Sequence, residues 1–427
     1  MKVAILGSGG REAAIAWKIM EHHGPDSVLV IPGNAGTPSP DTEIDIDDAQ
    51  QLAEFCKKNK IDMVIPGSET QLVSNLVGRL AEAGGPPMIG PDGQAALLEG
   101  SKILAKKFML LHGVATAPAR IVPDIAAARK AVRDFPGGKV VIKFDGLAAG
   151  KGVWVCNSFS DAAKAIDYLE QKHGPKTPVI LEEILKGDEL SLIGFTDGNC
   201  FRLLMPAQDH KQAFDNDKGP NTGGMGAFCP VSWCDDVLLD RINRQIIQPT
   251  MQGIKAEKLN YRGPLYFGVM ITESGPKLLE YNVRFGDPET QVLLPMLETD
   301  LVELYKACHN GCLKNIKIKF RSGSCVGVVL ANESYPESST AEIPFSSAFP
   351  PADLPPELQV FQAGMVRREG RFYAKGGRIL TVSARGTTLE SARASAYDLI
   401  EKLQPPATRF RSDIGCRKQI ITGAKKW

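Results

Sequence analysis

Short apolar runs alternate with amphipathic segments along the first hundred residues. The apolar runs predict strands at 3–6, 28–31 and 63–65. Apolar residues at helical spacing predict helices at 11–22 and 48–57, and one further helix whose apolar stripe is Leu72, Val73, Leu76, Val77 and Leu80. Strands and helices that alternate in this way are typical of a parallel, Rossmann-like sheet, which binds ligands at the carboxyl ends of its strands.

Three loops follow these predicted strands, at 7–10, 32–37 and 66–69. The first loop opens a helix and is able to present backbone amides to a phosphate group. It is not a dinucleotide fingerprint, because Glu12 stands where the third glycine of GxGxxG belongs, so NAD binding is not expected. Each loop alone is an ordinary connection between a strand and a helix, but together they are suited to close over a sugar phosphate.

A second unit begins at Ser101, which is a predicted N-cap for a helix at 102–111. Predicted strands at 139–143 and 153–156 flank a glycine-rich loop at 145–152, and a helix at 161–171 and a strand at 179–185 follow. A hairpin with a Gly-Lys-Gly tip is suited to lay backbone amides and a lysine over nucleotide phosphates. It is not a P-loop, because Lys151 is followed by glycine. We predict that this hairpin is a lid, mobile without nucleotide and ordered with it.

The segment GPNTGGMG at 219–226 is rich in glycine, and we expect neither helix nor strand there. Such a loop inside an ordered region usually lets the backbone approach a ligand, and a plain flexible linker is the alternative. A helix is predicted at 237–251, and a strand at 265–271 is joined by a turn at 273–276 to a second strand, which makes a hairpin.

The second strand of that hairpin carries the clearest candidate chemistry. Successive strand side chains point to opposite faces, which groups Glu280, Asn282 and Arg284 on a polar face and Leu279, Tyr281 and Val283 on an apolar face that is predicted to be core. A carboxylate, an amide oxygen and a guanidinium on one face suit Mg²⁺ beside an anionic phosphate or carboxylate. A solvated outer face is the alternative. Residues 285–288 then predict a turn.

The chain changes character after Gly311. Strands are predicted at 325–330 and 378–383 and a helix at 389–403, with a proline-rich connector between 343 and 356. No concentration of candidate chemistry is expected in this third unit.

Composition narrows the class of protein. The chain has 427 residues, of which 43% are hydrophobic and 23% charged, so two to four globular domains are expected. A formal charge of +1 gives no electrostatic reason to expect a nucleic acid or an anionic membrane as partner. The apolar start of the chain is too short for a signal peptide, no run of about 18 apolar residues occurs, and the nine cysteines include no CxxC pair. We therefore expect a cytoplasmic protein with reduced thiols.

Six motifs in chain order resemble those of the glycinamide ribonucleotide synthetase (phosphoribosylamine–glycine ligase) family of ATP-grasp enzymes. They are GSGGRE at 7–12, PGNAGT at 32–37, LEGSK at 98–102, DGLAAGKG at 145–152, GPNTGGMG at 219–226 and RFGDPETQ at 284–291. Each is a weak signal alone, but six in order are specific, and they cover essentially the whole chain. The resemblance implies an α/β and α+β fold: a Rossmann-like domain at 1–101, an ATP-grasp domain at 102–320 with a mobile lid at about 120–188, and a small mixed C-terminal domain at 321–427.

The resemblance also implies a reaction. The carboxylate of glycine attacks the γ-phosphate of ATP to give glycyl phosphate and ADP, and the amine of 5-phosphoribosylamine then displaces phosphate to form an amide for purine biosynthesis. The implied cofactors are ATP and Mg²⁺ or Mn²⁺. The implied partners are these small molecules, with no nucleic acid and no membrane, and the chain would be a monomer or a weak homodimer.

The matched motifs imply roles for individual residues. Nucleotide contacts would come from Lys102, Lys143 and Lys151 at the phosphates, Glu182, Glu183 and Leu185 at adenine, and Glu189 at the ribose. The metal ligands would be Glu280 and Asn282, and the catalytic residues Arg284, Asp209, Lys211 and Asp287, with Arg284 at the amino-acid carboxylate or acyl phosphate. Substrate contacts would come from Gly9, Gly10, Asn34, Gly36, Thr37, Glu69, Pro220 and Asn221.

The departures from the family pattern cluster on the amine side. Ala13 replaces a usual His, Gln212 a usual Arg and Cys416 a usual Trp, while Ser68, Thr70 and Gln71 interrupt a Gly-Pro-Glu-Ala-Pro loop. The alternatives are therefore a ligase paralogue with a different amine or amino acid, a nucleotide-binding regulator without turnover, and an ATP-grasp carboxylase. The retained metal and arginine face disfavours the regulator, and the RFGDPET run disfavours the carboxylase.

Overall fold

The first unit of the chain is a parallel sheet with helices beside it. The computed structural model describes residues 1–40, 43–147, 152–337, 342–345, 349, 351, 353–403 and 407–416. The elements of the first unit are β1 Val3–Gly7, α1 Gly10–His23, β2 Val28–Pro32, α2 Ala49–Lys58, β3 Met63–Pro66, α3 Glu69–Val73, α4 Leu76–Glu82 and α5 Gly93–Gly100. The strands are parallel in the order β2-β1-β3, as predicted, so the three loops that follow them meet at one edge of the sheet.

One helix predicted in this unit is in fact two. The apolar stripe is correct, since Leu72, Leu76 and Leu80 are fully buried, but the chain breaks between α3 and α4 at Asn75, whose φ is 56°. Asparagine tolerates this left-handed conformation better than most residues. Its Oδ1 accepts a hydrogen bond from the Gly93 amide at 2.9 Å, which ties the break to the start of α5.

The central unit runs from α6 to α12. Its helices are α6 Lys102–Leu111, α7 Ile125–Ala131, α8 Phe159–His173, α9 Asp236–Ile242, α10 Gln248–Ala256, α11 Thr290–Met296 and α12 Leu301–His309, with a π-helical turn, Asn243–Ile247, between α9 and α10. Its strands are β4 Ala119–Val122, β5 Val140–Phe144, β6 Val153–Cys156, β7 Val179–Glu182, β8 Asp188–Thr196, β9 Phe201–Leu203, β10 Gln208–Asp209, β11 Gln212–Phe214, β12 Lys218–Asn221, β13 Gly226–Cys229, β14 Gly263–Thr272 and β15 Gly275–Asn282.

Two antiparallel sheets of the central unit frame the candidate site. The first has the order β4-β7-β5-β6 and packs with α7 and α8, and the second has the order β15-β14-β8-β9. Apolar residues of the first sheet and its helices, such as Ile142 and Leu169, form a hydrophobic cluster distinct from those of the rest of the chain. Residues 119–182 therefore have a core of their own. We call them the lid, because they correspond to the lid predicted at about 120–188.

The third unit shares a sheet with the central unit. Its elements are β16 Ser324–Asn332, β17 Ile343–Pro344, β18 Leu358–Gln362, β19 Met365–Arg368, β20 Arg371–Ala374, β21 Arg378–Gly386, α13 Leu389–Leu403 and β22 Thr408–Arg409. The shared sheet has the order β10-β13-β16-β21-β18, and β22 also pairs with β16. Strands of the third unit therefore lie beside the strands that lead into the candidate site.

The prediction of neither helix nor strand at 219–226 is wrong at both ends. Lys218–Asn221 forms β12, which pairs with β11 in a two-stranded hairpin, and Gly226 begins β13. Pro220 is tolerated in β12 because that strand has a neighbour on one side only. Only residues 222–225 form a loop, which we call the glycine loop.

Candidate active site

Strand β15 presents Glu280 and Asn282 on the face opposite Tyr281. The Tyr281 ring packs edge-on against Phe108 in the core, and its hydroxyl pairs with Thr250 Oγ1 at 2.7 Å. Because side chains alternate along a strand, this anchor turns the carboxylate of Glu280 and the amide of Asn282 away from the core together. The prediction that these two residues share one face of a strand is therefore confirmed. Arg284, the third residue predicted on that face, lies beyond the end of the strand at Asn282.

A β-bulge in the same strand changes one predicted position. Gly268 of β14 pairs with Glu280, but the next residue of β14 pairs with Leu278, so Leu279 has no partner in the register. Leu278 is fully buried and fills the core position that was predicted for Leu279, which is only half-buried. The bulged Leu279 carbonyl accepts a hydrogen bond from Lys143 Nζ at 3.2 Å.

Positive side chains surround Glu280. Lys211 Nζ lies 4.0 Å from Glu280 Oε1 and 2.7 Å from Glu189 Oε2. Burial acts to raise the pKa of Glu280, but the charges of Lys211, Lys143 and Lys102 outweigh it and hold this pKa below its usual value. Glu280 is therefore ionised, and an ionised carboxylate beside an amide oxygen fits a hard divalent cation.

Lys102 lies at the point where α6 meets the lid. Its Nζ donates to the Gly146 carbonyl at 2.8 Å, and burial lowers its pKa. The Asp145 carboxylate accepts from Ser101 Oγ at 2.9 Å beside it. Lys151, the third predicted phosphate-binding lysine, lies outside the described residues.

Glu182 forms a buried ion-pair bridge between two lysines. Its carboxylate is 3.0 Å from Lys106 Nζ and 2.9 Å from Lys143 Nζ, and the residue is 2% exposed. Glu183 is exposed and Leu185 is half-buried just beyond the end of β7. Lys106, which no sequence pattern singled out, lies one helical turn after Lys102 on the buried side of α6.

Arg284 is held by two carboxylates. Its Nε lies 3.1 Å from Glu69 Oε2 and its Nη2 lies 2.8 Å from Glu99 Oε1, while Glu99 Oε2 accepts the Val283 amide at 2.7 Å. Burial raises the pKa of Glu99 to about 7, against the opposing charge of Arg284. Burial also acts to raise the pKa of Glu69, but Arg284 keeps it below the usual value. Glu99 belongs to the LEGSK motif, but the sequence alone predicted no role for it.

The first loop of the N-terminal sheet touches the turn after β15. The Gly9 amide donates to Glu12 Oε2 at 2.6 Å, so the glutamate that replaces the third glycine holds the loop closed. A Cβ on Gly10 would lie 2.8 Å from Gln291 Nε2, so a larger residue there would have to displace the Gln291 side chain. Gln291 in turn donates to Asp287 Oδ1 at 2.7 Å. Gly9 and Gly10 are thereby brought beside the Asp287 turn.

The second loop is built around the side chain of Asn34. The Asn34 amide nitrogen donates to the carbonyls of Ser8 and Gln362, both at 2.8 Å, and its Oδ1 accepts the Gly36 amide at 2.8 Å. Thr37 Oγ1 accepts the Asn34 amide hydrogen at 2.8 Å. Asn34 and Thr37 therefore shape the loop and join it to the first loop and to the third unit.

Asp209 lies under the glycine loop. A Cβ on Gly224 would be 2.8 Å from Asp209 Oδ1, and that buried oxygen has no hydrogen-bond partner among the described residues. Burial, reinforced by the negative charge of Glu289, raises the pKa of Asp209. The nearby Pro220 and Asn221 are exposed on β12, and the Asn221 side chain accepts from Gln212 Nε2 at 3.3 Å.

Arg378 brings the third unit into the site. Its Nη2 lies 3.2 Å from Asp287 Oδ2, and its Nη1 donates to the Asp287 carbonyl at 2.7 Å and to the Gly223 carbonyl at 2.6 Å. With Gln362 on Asn34, this makes the expectation of no candidate chemistry in the third unit wrong. Arg378 and Gln362 come from separate strands of the third unit. They reach the candidate site because these strands belong to the sheet that the two units share.

The described residues contain no group of three or more His, Cys, Asp or Glu side chains placed to hold a metal ion. The two ligands predicted from the sequence, Glu280 and Asn282, fit a site in which nucleotide phosphates and water complete the coordination of the ion. The nine cysteines are free thiols.

The departures from the family pattern have ordinary structural roles. Ala13 is buried in α1. The Gln71 amide donates to Asp47 Oδ1 at 3.1 Å, within the first unit. Gln212 pairs with Asn221 across the β11–β12 hairpin.

Comparison with known proteins identifies the family. Three family models match consecutive parts of the chain: the phosphoribosylglycinamide synthetase N domain at residues 1–99, its ATP-grasp (A) domain at 100–290 and its C domain at 325–417. The phosphoribosylamine–glycine ligase of Rhodopirellula baltica is 40% identical over an alignment of 437 positions, which covers 99% of both chains. The chain belongs to the phosphoribosylglycinamide synthetase family. The resemblance inferred from the six motifs is confirmed, and so is the three-part fold class.

Members of this family also occur within longer proteins. The trifunctional purine biosynthetic protein adenosine-3 of Homo sapiens is 40% identical over an alignment of 426 positions, which covers 97% of this chain but 42% of that protein. The chain thus spans about two fifths of the length of that relative.

Solved structures agree with the family assignment. A phosphoribosylamine–glycine ligase from Thermotoga maritima has a TM-score of 0.82 at 32% identity and covers 97% of this chain and 100% of its own. A biotin carboxylase domain of Hydrogenobacter thermophilus 2-oxoglutarate carboxylase has a TM-score of 0.70 at 15% identity over 96% of this chain and 91% of its own, which shows a shared ATP-grasp fold alone. No helix in the described part of the chain has the length and apolar character needed to span a membrane.

Proposed function

We propose that this chain is an ATP-dependent ligase that joins glycine to 5-phosphoribosylamine and yields glycinamide ribonucleotide, ADP and phosphate. The observation that carries the proposal is the junction of two binding surfaces at the end of β15. Arg284 reaches Glu69 of the third N-terminal loop at 3.1 Å, and Arg11 Nη1 donates to the Phe285 carbonyl at 3.1 Å. The surface proposed for phosphoryl transfer and the loops proposed for the sugar phosphate thus adjoin, as a reaction of two bound substrates would require.

The polar face of β15 would bind the nucleotide with its metal. Glu280 and Asn282 would hold Mg²⁺ or Mn²⁺, which neutralises charge at the transferring phosphoryl group when bound. Lys102 and Lys143 would face the phosphates with Lys151, since the charges of both described lysines already act on the carboxylate of Glu280. The segment that contains Glu182, Glu183 and Leu185 would line adenine, and Glu189 would bind the ribose.

Arg284 would bind the carboxylate of glycine. An anion must attack another anion in this step, so a guanidinium that is fixed on both sides by Glu69 and Glu99 is a suitable partner. The carboxylate oxygen forms a bond to the γ-phosphorus while the bond to ADP breaks. The product is glycyl phosphate, which the lid would shield from water.

The amine would then be handled by Asp209 and Lys211. Its nitrogen bonds to the carbonyl carbon of glycyl phosphate, the carbon–oxygen bond to phosphate breaks, and the nitrogen loses a proton. Asp209 would accept that proton, because burial raises its pKa and its buried Oδ1 has no hydrogen-bond partner among the described residues. Lys211 would offset the charge of the departing phosphate, and Asp287 would lie between the two substrates.

The phosphoribosylamine would bind at the N-terminal loops. Its phosphate would lie near Gly9 and Gly10, at the N-terminus of α1, and near Gly36 of the second loop. Asn34, Thr37 and Glu69 would complete the pocket, and Pro220 and Asn221 remain candidates to cover it from the hairpin. We also propose that the protein is cytoplasmic, which its free cysteines support because thiols stay reduced in that compartment. We further propose that the domain boundaries lie near residues 101 and 320 and that the protein is a monomer or a weak homodimer.

The decisive experiment is ADP release in the presence of ATP, Mg²⁺, glycine and freshly generated phosphoribosylamine. We expect turnover that requires both substrates, and formation of the amide product. A panel of other amines and amino acids tests the paralogue alternative, which the departures at Ala13 and Gln212 leave open. If these two departures only trim contacts, binding weakens by about 10- to 150-fold or less relative to a typical family member. Substantially faster turnover with another pair would replace this substrate assignment.

A further inference from the structure

The glycine loop is hydrogen-bonded to residues 210 and 211, in the segment that carries the side chains of Asp209 and Lys211. Thr222 donates to the Lys211 carbonyl through its amide at 2.7 Å and through its Oγ1 at 2.8 Å. The Met225 amide donates to the His210 carbonyl at 2.8 Å, and the His210 amide donates to the Gly226 carbonyl at 2.9 Å. Any shift of the glycine loop therefore moves the backbone from which the Asp209 and Lys211 side chains project.

Two side chains of the third unit hold this loop at Gly223. The Gly223 carbonyl accepts from Arg378 Nη1 at 2.6 Å, and the Gly223 amide donates to the Tyr335 hydroxyl at 2.8 Å. A Cβ at this position would lie 3.0 Å from that hydroxyl and 3.3 Å from Arg378 Cζ. Both peptide groups of Gly223 are thus fixed. We call this pair the Arg378–Tyr335 clamp.

The same guanidinium holds Asp287 on the other side. Arg378 contacts both the side chain and the carbonyl of Asp287, at 3.2 and 2.7 Å. Gln291 occupies the second carboxylate oxygen of Asp287. One side chain therefore links the glycine loop to the Asp287 turn, two segments that are far apart in the sequence.

We propose that Arg378 is a positioning residue, which with Tyr335 fixes the glycine loop relative to the Asp287 turn and so sets where Asp209 and Lys211 stand against the amine substrate. The kinetic part of this inference rests on the proposed function. The clamp lies on the amine side, whereas the lysines assigned to the nucleotide phosphates lie on α6 and in the lid. Loss of the clamp should therefore affect the amine step and leave ATP binding nearly unchanged.

The variants that test the clamp are Arg378→Met, Arg378→Lys and Tyr335→Phe. Arg385→Met is the matched control, because Arg385 lies on the same strand β21 and donates to the Pro356 carbonyl away from the site. For Arg378→Met we expect kcat/KM for phosphoribosylamine to fall by about 10- to 150-fold, since hydrogen bonds made by a charged group are lost. The KM for ATP should change by less than about twofold, and Arg378→Lys should recover part of the loss.

Hydrogen exchange supplies a readout that does not depend on activity. Amides of residues 209–211 and 222–226 should exchange faster in Arg378→Met and, more mildly, in Tyr335→Phe, while β14 and β15 stay unchanged. The Tyr335→Phe variant removes one hydroxyl only, so it keeps the test valid if Arg378→Met fails to fold. The proposal would be overturned if Arg378→Met lost kcat/KM equally for ATP and for the amine. It would also be overturned if amide exchange in Arg378→Met matched that in Arg385→Met. If the wild-type chain does not turn over this substrate pair, the proposed function fails, and the exchange data still decide whether the clamp exists.

Discussion

Glu99 fixes Arg284 at the end of strand β15. Its Oε1 lies 2.8 Å from the Nη2 of Arg284, and its Oε2 accepts the amide hydrogen of Val283, the preceding residue. The carboxylate therefore orients both the guanidinium and the backbone that carries it. Because burial raises the pKa of Glu99 to about 7, this support titrates near neutral pH.

We expect activity to rise with pH as Glu99 ionises. Below about pH 7 the protonated carboxyl is a weaker partner for Arg284, and above it the ion pair is complete. In the wild-type chain kcat/KM for glycine should show an ionisation with an apparent pKa near 7. The Glu99→Gln variant should lack this ionisation and keep a rate close to the low-pH rate of the wild type. A profile with the same ionisation in both proteins would contradict the role of Glu99.

The same group gives a prediction for stability. The pKa of Glu99 in the folded protein is above that of a carboxyl in an unfolded chain, about 4.3. Between these values the folded protein binds more protons, so the free energy of unfolding that depends on Glu99 falls as pH rises from about 4.3 to 7. Urea unfolding should show that the free energy of unfolding falls more steeply with rising pH in the wild type than in Glu99→Gln over this range.

Removal of Lys106 should destabilise the junction between α6 and the lid. The Lys106→Met variant leaves buried Glu182 with Lys143 alone. Breaking a buried ion pair typically costs about 3 to 5 kcal/mol, and we expect a loss near or below the lower value because Lys143 remains. Urea unfolding measures it, and Lys107→Met on the exposed side of the same helix is the control. Equal stability of the two variants would mean that the Lys106–Glu182 pair contributes nothing.

The metal face should be indispensable for turnover. The Glu280→Ala variant removes one of only two proposed protein ligands, and a catalytic metal ion stabilises the transition state by several kcal/mol, so kcat should fall by about 100-fold or more. The measurement is ADP release at saturating Mg²⁺. Glu273→Ala, in the exposed turn between β14 and β15, should remain near the wild-type rate. Near-normal turnover of Glu280→Ala would exclude this residue as a metal ligand.

Local patterns in the sequence were sufficient to predict most of the elements around the site. Helix α6 has the predicted bounds because Ser101 caps it and its apolar residues keep helical spacing. The pairing of Glu280 with Asn282 follows from strand alternation. The bulge at Leu279 could not be predicted, because it depends on the register with β14, and register is set by the packed sheet rather than by one strand.

The residues that hold the site together were harder to find. Lys106, Glu99 and Arg378 act through partners that are distant in the sequence, and each belongs to a type that is usually exposed. A lysine in an amphipathic helix gives no sign that it is buried beside a glutamate from another sheet. Arg378 reaches the site only because β21 and β13 share a neighbour in β16, a topology that the sequence pattern of the third unit does not reveal.

Nucleotide binding should close the lid onto the rest of the protein. The lid has its own hydrophobic core, and its described contacts with the remaining chain include polar ones, such as Lys102 to Gly146 and Lys143 to Leu279. These lysines are the ones proposed to bind phosphates, so a bound nucleotide would bridge the lid and α6. With MgADP or a non-hydrolysable ATP analogue, amides of β5 and β6 should exchange more slowly, and an Asp145→Ala variant, which loses the contact to Ser101, should show less of this protection. Equal exchange with and without nucleotide would contradict a lid, whatever the substrate of the enzyme.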